Sequence, residues 1–197
     1  MFVTTMVATP ILTTARLLLP PLDLSDAPAV QAVFPQWEVV RFLARHVPWP
    51  YPPDGALTHI RDHALPAMRH GTEWHWSIRL AACPAALIGA ISLMDKEDDN
   101  RGFWLDPVWR GRGFMSEAVE AVTEFWFATL QRPVLRVPKA AANLPSRRIS
   151  ERTGMRLIGR TERDYVSGRL PAEIWEITRE AWQARRSFAG NPRAQTR

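Results

Sequence analysis

A chain of 197 residues with 46% hydrophobic and 23% charged side chains has the length of one domain and a globular composition, which excludes wholesale disorder. Its single cysteine, Cys83, excludes an internal disulfide framework or a cysteine-rich zinc site and fits a reducing compartment. The net charge of +5 comes without any run of about 18 apolar residues and without a secretory signal at residues 1–14, so a cytoplasmic protein with no membrane partner is expected.

In chain order, Arg16–Leu19 is a short apolar strand candidate stopped by Pro20-Pro21. Ser25 or Asp26 can cap a helix with Pro28 in its first turn and Val30, Val33 and Phe34 on its apolar face. A second short helix is expected over Trp37–Leu43. Four prolines between Val47 and Gly55 forbid regular structure, because proline lacks the donor and fixes φ. A helix should follow from Asp54 or Gly55 to about His70. Trp74–Leu80, Leu87–Met94 and Arg101–Leu105 read as an antiparallel meander, with turns at Ala82–Ala85 and Asp95–Asp99.

From Met115 to Leu130 the period changes to that of an amphipathic helix, with Glu117, Glu120 and Glu124 opposite the apolar face. Val134–Val137 is a strand, and Pro145–Thr153 a helix that Gly154 stops. Met155–Thr161 and Ala172–Thr178 close the sheet. No second domain or internal repeat is visible: residues 1–182 form one domain and residues 183–197 a basic, disordered tail.

The chemistry is concentrated between residues 101 and 160, which hold eleven basic and five acidic side chains while the N-terminal part is mildly acidic. Such a distribution points to an anionic ligand held in one place. In Asp106-Pro107-Val108-Trp109-Arg110-Gly111-Arg112-Gly113-Phe114-Met115-Ser116 a strand ends, a glycine-rich loop follows and a long helix begins. That order aims backbone N–H groups and a helix dipole at one point. The Gly-Lys-Ser/Thr ending of a P-loop is absent.

This loop resembles the pyrophosphate loop of the GNAT acyltransferases, Gln/Arg-x-x-Gly-x-Gly/Ala, on Arg110, Gly113 and Met115; Met115 stands where the pattern has a small residue. A second, independent stretch is similar to the GNAT pattern Asn-x-x-Ser, then Glu, then Gly-Phe: Asn143, Ser146, Arg148, Glu151 and Gly154 fall in register about 30 residues on. Looser likenesses at Thr14–Leu17, Pro50-Tyr51, Phe103–Pro107 and Gly168-Arg169 point to the branch of the ribosomal-protein N-terminal acetyltransferases.

The resemblance implies an α+β GNAT fold, a mixed, mostly antiparallel central sheet flanked by helices, with two splayed parallel strands at Arg101–Leu105 and Val134–Val137. It implies acetyl-CoA as co-substrate, with Trp104 and Leu105 beside the pantetheine, Arg110, Gly111, Arg112, Gly113, Phe114, Met115 and Ser116 on the pyrophosphate, and Asn143 on the pantetheine arm. Ser146 is the candidate proton donor to the leaving thiolate, against the alternative that it only caps a helix. Asn100 stands where many relatives carry a glutamate, and asparagine cannot accept a proton at neutral pH. Asp98, Asp99 and His75 are the nearby alternatives as base.

The aromatic residues Trp37, Trp49, Tyr51 and Trp74 around the proline-rich segment could line the acceptor pocket and meet a cationic amine. His59 and His63 have metal-compatible spacing, but no third ligand is evident, so no metal is expected. The leading expectation is N-acetylation of a primary amine, either a protein N-terminus or a small molecule. The alternative is a non-catalytic acyl-CoA-binding module. Against nucleic-acid binding, suggested by a pI of about 10.3, stand the acidic remainder of the chain, the lack of a recognised motif and the localised charge. A homodimer is compatible with all of these readings.

Overall fold

The computed structural model describes residues 7–189. Eight strands form two sheets. The first has the order β1 (Leu12–Thr13), β2 (Leu17–Leu19), β3 (Glu73–Leu80), β4 (Cys83–Met94), β5 (Arg101–Leu105), and every pair in it is antiparallel. The second has the order β6 (Val134–Ala140), β8 (Gly168–Thr178), β7 (Arg156–Tyr165), again antiparallel. The expected meander is present, although its first turn lies at residues 81–82, because Leu80 already pairs with Cys83.

Helices cover the sheets. A single turn at Leu24–Asp26 leads into α1 (Ala27–Val33), followed by α2 (Trp37–Val40), which is shorter than expected. Neither Ser25 nor Asp26 caps α1. Asp23 caps the preceding turn in a reciprocal box with Asp26, whose carboxylate also accepts from Arg79. α3 (Gly55–His59) runs through a widened turn at Ile60–Ala64 into α4 (Leu65–Arg69). α5 (Phe114–Glu124) ends in a similar turn at Phe125–Thr129, and α6 (Leu144–Arg152) stops at Gly154, whose φ of +78° suits glycine.

The chain does not fray at residue 183. Arg179–Ala189 is a helix, α7, because Trp182 is buried against Phe127 with ring centroids 5.3 Å apart. Arg185 and Arg186 pair with Glu120 and Glu124 of α5 at 2.9 and 2.8 Å. Residues 190–197 of the expected tail lie outside the described residues. None of the described helices is long and apolar enough to cross a membrane.

Strand alternation puts one face of β3 into the main core. Trp74, Trp76 and Ile78 join the main cluster beneath α5, together with Ile88, Ile91, Leu93, Val119 and Val122. On the opposite face a second cluster joins α1, α3 and Leu87, with Tyr51 and Trp104 packed against it.

Candidate functional site

The two sheets meet at β5 and β6 without pairing along their length. One backbone bond joins them, from Asn100 N–H to the Arg136 carbonyl at 2.8 Å, and Arg136 N–H donates to Asn100 Oδ1 at 2.7 Å. Asn100 Nδ2 in turn donates to the carbonyls of Met94 and Lys96. A glutamate could not make those two donations, which explains the asparagine: this side chain ties a hairpin loop to β6. Beyond it no ladder links residues 101–105 to 137–140. Of the expected splayed parallel pair, the structure thus contains two strands in separate sheets that touch at one end. Pro138, which has no N–H to donate, lies within β6, as befits a strand with an open edge.

β5 delivers the chain into the glycine-rich loop. Asp106 caps the turn Pro107–Trp109, and Gly111 and Gly113 adopt φ of +77° and +82°, a region that costs other residues strain. Gly113 then opens α5, and no side chain caps the helix. The first-turn N–H groups, including those of Phe114, Met115 and Ser116, have no intrahelical acceptor, so they face the loop as donors at the positive end of the dipole. The Phe114 and Met115 side chains are buried in the main cluster, which takes the bulk of Met115 away from the loop.

The two arginines of the loop are already engaged. Arg110 Nη2 donates to the Glu38 carbonyl at 3.0 Å, and the Arg112 guanidinium lies 4.9 Å from the Trp109 ring centre. Arg16, which sequence reasoning left out of the site, braces the loop. It donates to the Arg112 carbonyl at 3.0 Å and pairs with Glu117 at 2.7 Å.

Across the gap, Asn143 caps α6, its Oδ1 accepting from Ser146 N–H at 3.3 Å. Capping therefore falls to Asn143 and leaves the buried Ser146 hydroxyl for other work. That hydroxyl lies 2.8 Å from Lys139 Nζ on β6, and the Lys139 ammonium sits 5.1 Å from the centre of the Phe103 ring of β5. Burial, reinforced by the charge of Arg101, pushes the Lys139 pKa well below its ordinary value. A single lysine on an apolar strand carries no sequence signal, so this group was missed.

On the other face of the first sheet, a cavity of about 390 Å³ lies between α1, α3, residues 46–55 and the β4–β5 pair. Phe34, Tyr51 and Trp104 form its aromatic wall, with Phe34 centroids 4.9 and 5.3 Å from the other two. Of the four aromatics expected here, Tyr51 lines the cavity. Trp37 and Trp49 pack on each other with ring centroids 5.5 Å apart and planes tilted by 48°, 40% and 42% exposed, and Trp49 lines an adjoining, more polar depression with Arg45 and Asp164.

Trp74 is not part of this site. It is 2% exposed in the core beneath α5, donating to the Val7 carbonyl at 2.9 Å, since even-numbered β3 residues face away from the cavity. The odd-numbered ones carry polar groups instead. Glu73 is buried and contacts His75 at 2.8 Å, His63 at 3.2 Å and Lys96 at 3.2 Å. Burial alone would raise the Glu73 pKa, but the His75 hydrogen bond and the surrounding cations bring it down to about 2. His59, on the cavity wall, is held below the usual imidazole range by desolvation and by the neighbouring histidines. Nor are Asp98 and Asp99 a free turn, for they reach the second sheet through Arg136 at 3.0 Å and Arg163 at 3.3 Å.

The fold has close counterparts. The RimL ribosomal L7/L12 α-N-protein acetyltransferase, solved in complex with coenzyme A, superposes with a TM-score of 0.74 at 17% identity, over 87% of this chain and 99% of that one. The ribosomal-protein-S5-alanine acetyltransferase of Vibrio fischeri gives 0.74 at 13% identity, over 87% and 98%. RimJ of Mycobacterium smegmatis, solved with a CoA disulfide, gives 0.72 at 16%, over 88% and 89%. No curated protein matches the sequence. The family description "Acetyltransferase (GNAT) domain" matches residues 16–156, a stretch that takes in the glycine-rich loop, the uncapped start of α5 and the Asn143–Ser146 turn; the chain belongs to the GNAT acetyltransferases.

Proposed function

We propose that the protein transfers the acetyl group of acetyl-CoA to a primary amine, a protein N-terminus or a small molecule, held in the cavity beside Trp104. The observation that carries this reading is the uncapped N-terminus of α5, approached through Gly111 and Gly113, at the end of a strand whose edge toward β6 is unpaired. Donors aimed at one point suit a pyrophosphate, and an open strand edge suits the amide-bearing arm of CoA, which can pair with it as a strand would. The backbone of Trp104 and Leu105 forms that edge, and Asn143 and Ser146 stand across it on α6.

Chemically, the neutral amine attacks the thioester carbonyl, the C–N bond forms and the C–S bond breaks. The attacking nitrogen loses a proton, and the sulfur gains one from the Ser146 hydroxyl. Much of the acceleration comes from holding two reactants in register, for which the aromatic wall of the cavity and the braced loop are suited. The acceptors named for the relatives are ribosomal proteins, and the depression around Trp49, open and adjoining the cavity, has room for a peptide that continues beyond its terminal amine.

Calorimetric titration of acetyl-CoA and CoA, with ATP as control, tests the first half of this reading. Saturable binding of both CoA species and not of ATP is expected, and binding of neither overturns it. Thiol release with N-terminal peptides and small amines then tests the second half. A non-catalytic acyl-CoA-binding module would bind and release no thiol with any of them.

A further inference from the structure

Lysine is scarce in this chain: 25 basic residues include only two, Lys96 and Lys139. Lys96 is half exposed on the loop before β5 and pairs with Glu73 at 3.2 Å. Lys139 is 5% exposed, and among the described residues its only side-chain hydrogen-bond partner is Ser146. Among the described residues no carboxylate comes within ion-pair distance of it. Glu173, directly opposite on β8, is taken up by Arg147 at 2.8 Å. The buried Arg101 on β5 adds a like charge, and Asp99 offsets it only in part.

Arginine would serve as well as lysine for a purely structural cation and keeps its proton at any working pH, whereas a buried lysine can give its proton up. An amine without a counter-ion is costly to hold in a protein interior, and this one adjoins the hydroxyl assigned to the leaving thiolate. We propose that Lys139 is a positioning residue that works through Ser146, the two forming a relay that supplies the proton taken by the departing sulfur. This rests on the proposed role of Ser146.

In the step, the amine nitrogen bonds to the acetyl carbon and the C–S electron pair goes to sulfur. The Ser146 proton passes to sulfur, and a proton from the Lys139 ammonium passes to the Ser146 oxygen, leaving a neutral amine. Lys139 recovers its proton from solvent once CoA departs, and the proton shed by the attacking nitrogen goes to solvent, so the count closes. The groups that face the amine are Ser146 on α6, Arg101 and Phe103 on β5, Asp99 before β5, and the Glu173–Arg147 pair across β8. Because the relay needs the charged amine, turnover should fall as pH rises through the lowered Lys139 pKa.

Two lysines make a clean test. Protein labelled with ¹³Cε-lysine gives two resonances, with Lys96 as the internal reference, and the wild-type chain suffices. Lys139 is expected to titrate well below the ordinary lysine range and to shift in Ser146→Ala. Kinetically, Lys139→Met should lower kcat by about 100-fold at unchanged KM for acetyl-CoA and abolish the basic limb of the kcat profile. Lys139→Arg should keep the charge without restoring that limb, and the double variant with Ser146→Ala should be no slower than Ser146→Ala alone. Lys139 titrating in the ordinary lysine range, or Lys139→Met with wild-type kcat and profile, overturns the relay. Ser146→Ala at the wild-type rate overturns the Ser146 role itself, and the relay with it; a slow Ser146→Ala beside a fast Lys139→Met sinks the relay alone.

Discussion

The two faces of β3 are built from alternate residues of one eight-residue strand, yet they do opposite work. Trp74, Trp76 and Ile78 are sealed beneath α5 among aromatic and aliphatic neighbours. Glu73, His75 and Ser77, also buried, point toward the side where packing stops short and leaves a cavity. One face is filled to the density of an interior; the other combines incomplete packing with ionisable groups. A site for a polar reactant needs both of those properties, and an alternation of period two supplies them without lengthening the chain.

Substitutions should separate the faces. The largest effect is expected from Trp76→Ala, which removes a fully buried side chain and should cost about 3–5 kcal/mol in urea or guanidinium unfolding. The polar face should reveal itself in acid. The Glu73 carboxylate, with its pKa brought down to about 2 from 4.5, stabilises the fold fully above pH 4.5 and loses that contribution as pH falls through about 2. The loss should be about 2–3 kcal/mol, and Glu73→Gln should flatten that part of the melting profile. Equal acid sensitivity of wild type and variant would remove Glu73 from this role.

Gly113→Ala imposes a side chain at φ +82°, 3.3 Å from Arg16 Nη2. It should cost about 1–2 kcal/mol and weaken CoA binding about tenfold, measured by calorimetry. Tyr51→Ala, on the cavity wall, should change stability by about 1 kcal/mol or less while raising the KM of the amine acceptor. An unchanged KM would mean that the acceptor binds elsewhere.

The parts of the molecule that follow local rules were legible in the sequence. The β3–β5 meander, the amphipathic helix after Gly113 and the turn at Asn143 rest on periodicity and glycine placement, which act within a few residues. Tertiary choices were not legible. Nothing in the spacing of Trp74 says which side of β3 meets α5, and period two makes a one-residue error place it on the wrong face. Asp26 was read as a cap because its partner Arg79 lies 53 residues away. α7 looked like a tail because its apolar contact is one tryptophan and its ion pairs reach back to α5. Lys139 acquires meaning only through Ser146, seven residues on and in another element. Asn100 looked like a missing base until its five hydrogen bonds gave it a structural task.

The Arg185 side chain, besides reaching Glu120 on α5, donates to the carbonyls of Arg152 and Thr153 at the end of α6. One guanidinium thus ties the middle of α5 to the far end of α6, the two helices whose N-termini, at Gly113 and Asn143, flank the open strand edge. The tie lies away from the glycine-rich loop and the Asn143 turn, so it fixes the spacing of the two helices without occupying the edge between them. A chain shortened before α7 would keep the loop and the Asn143 turn and lose this tie, so its affinity for CoA should fall through geometry alone.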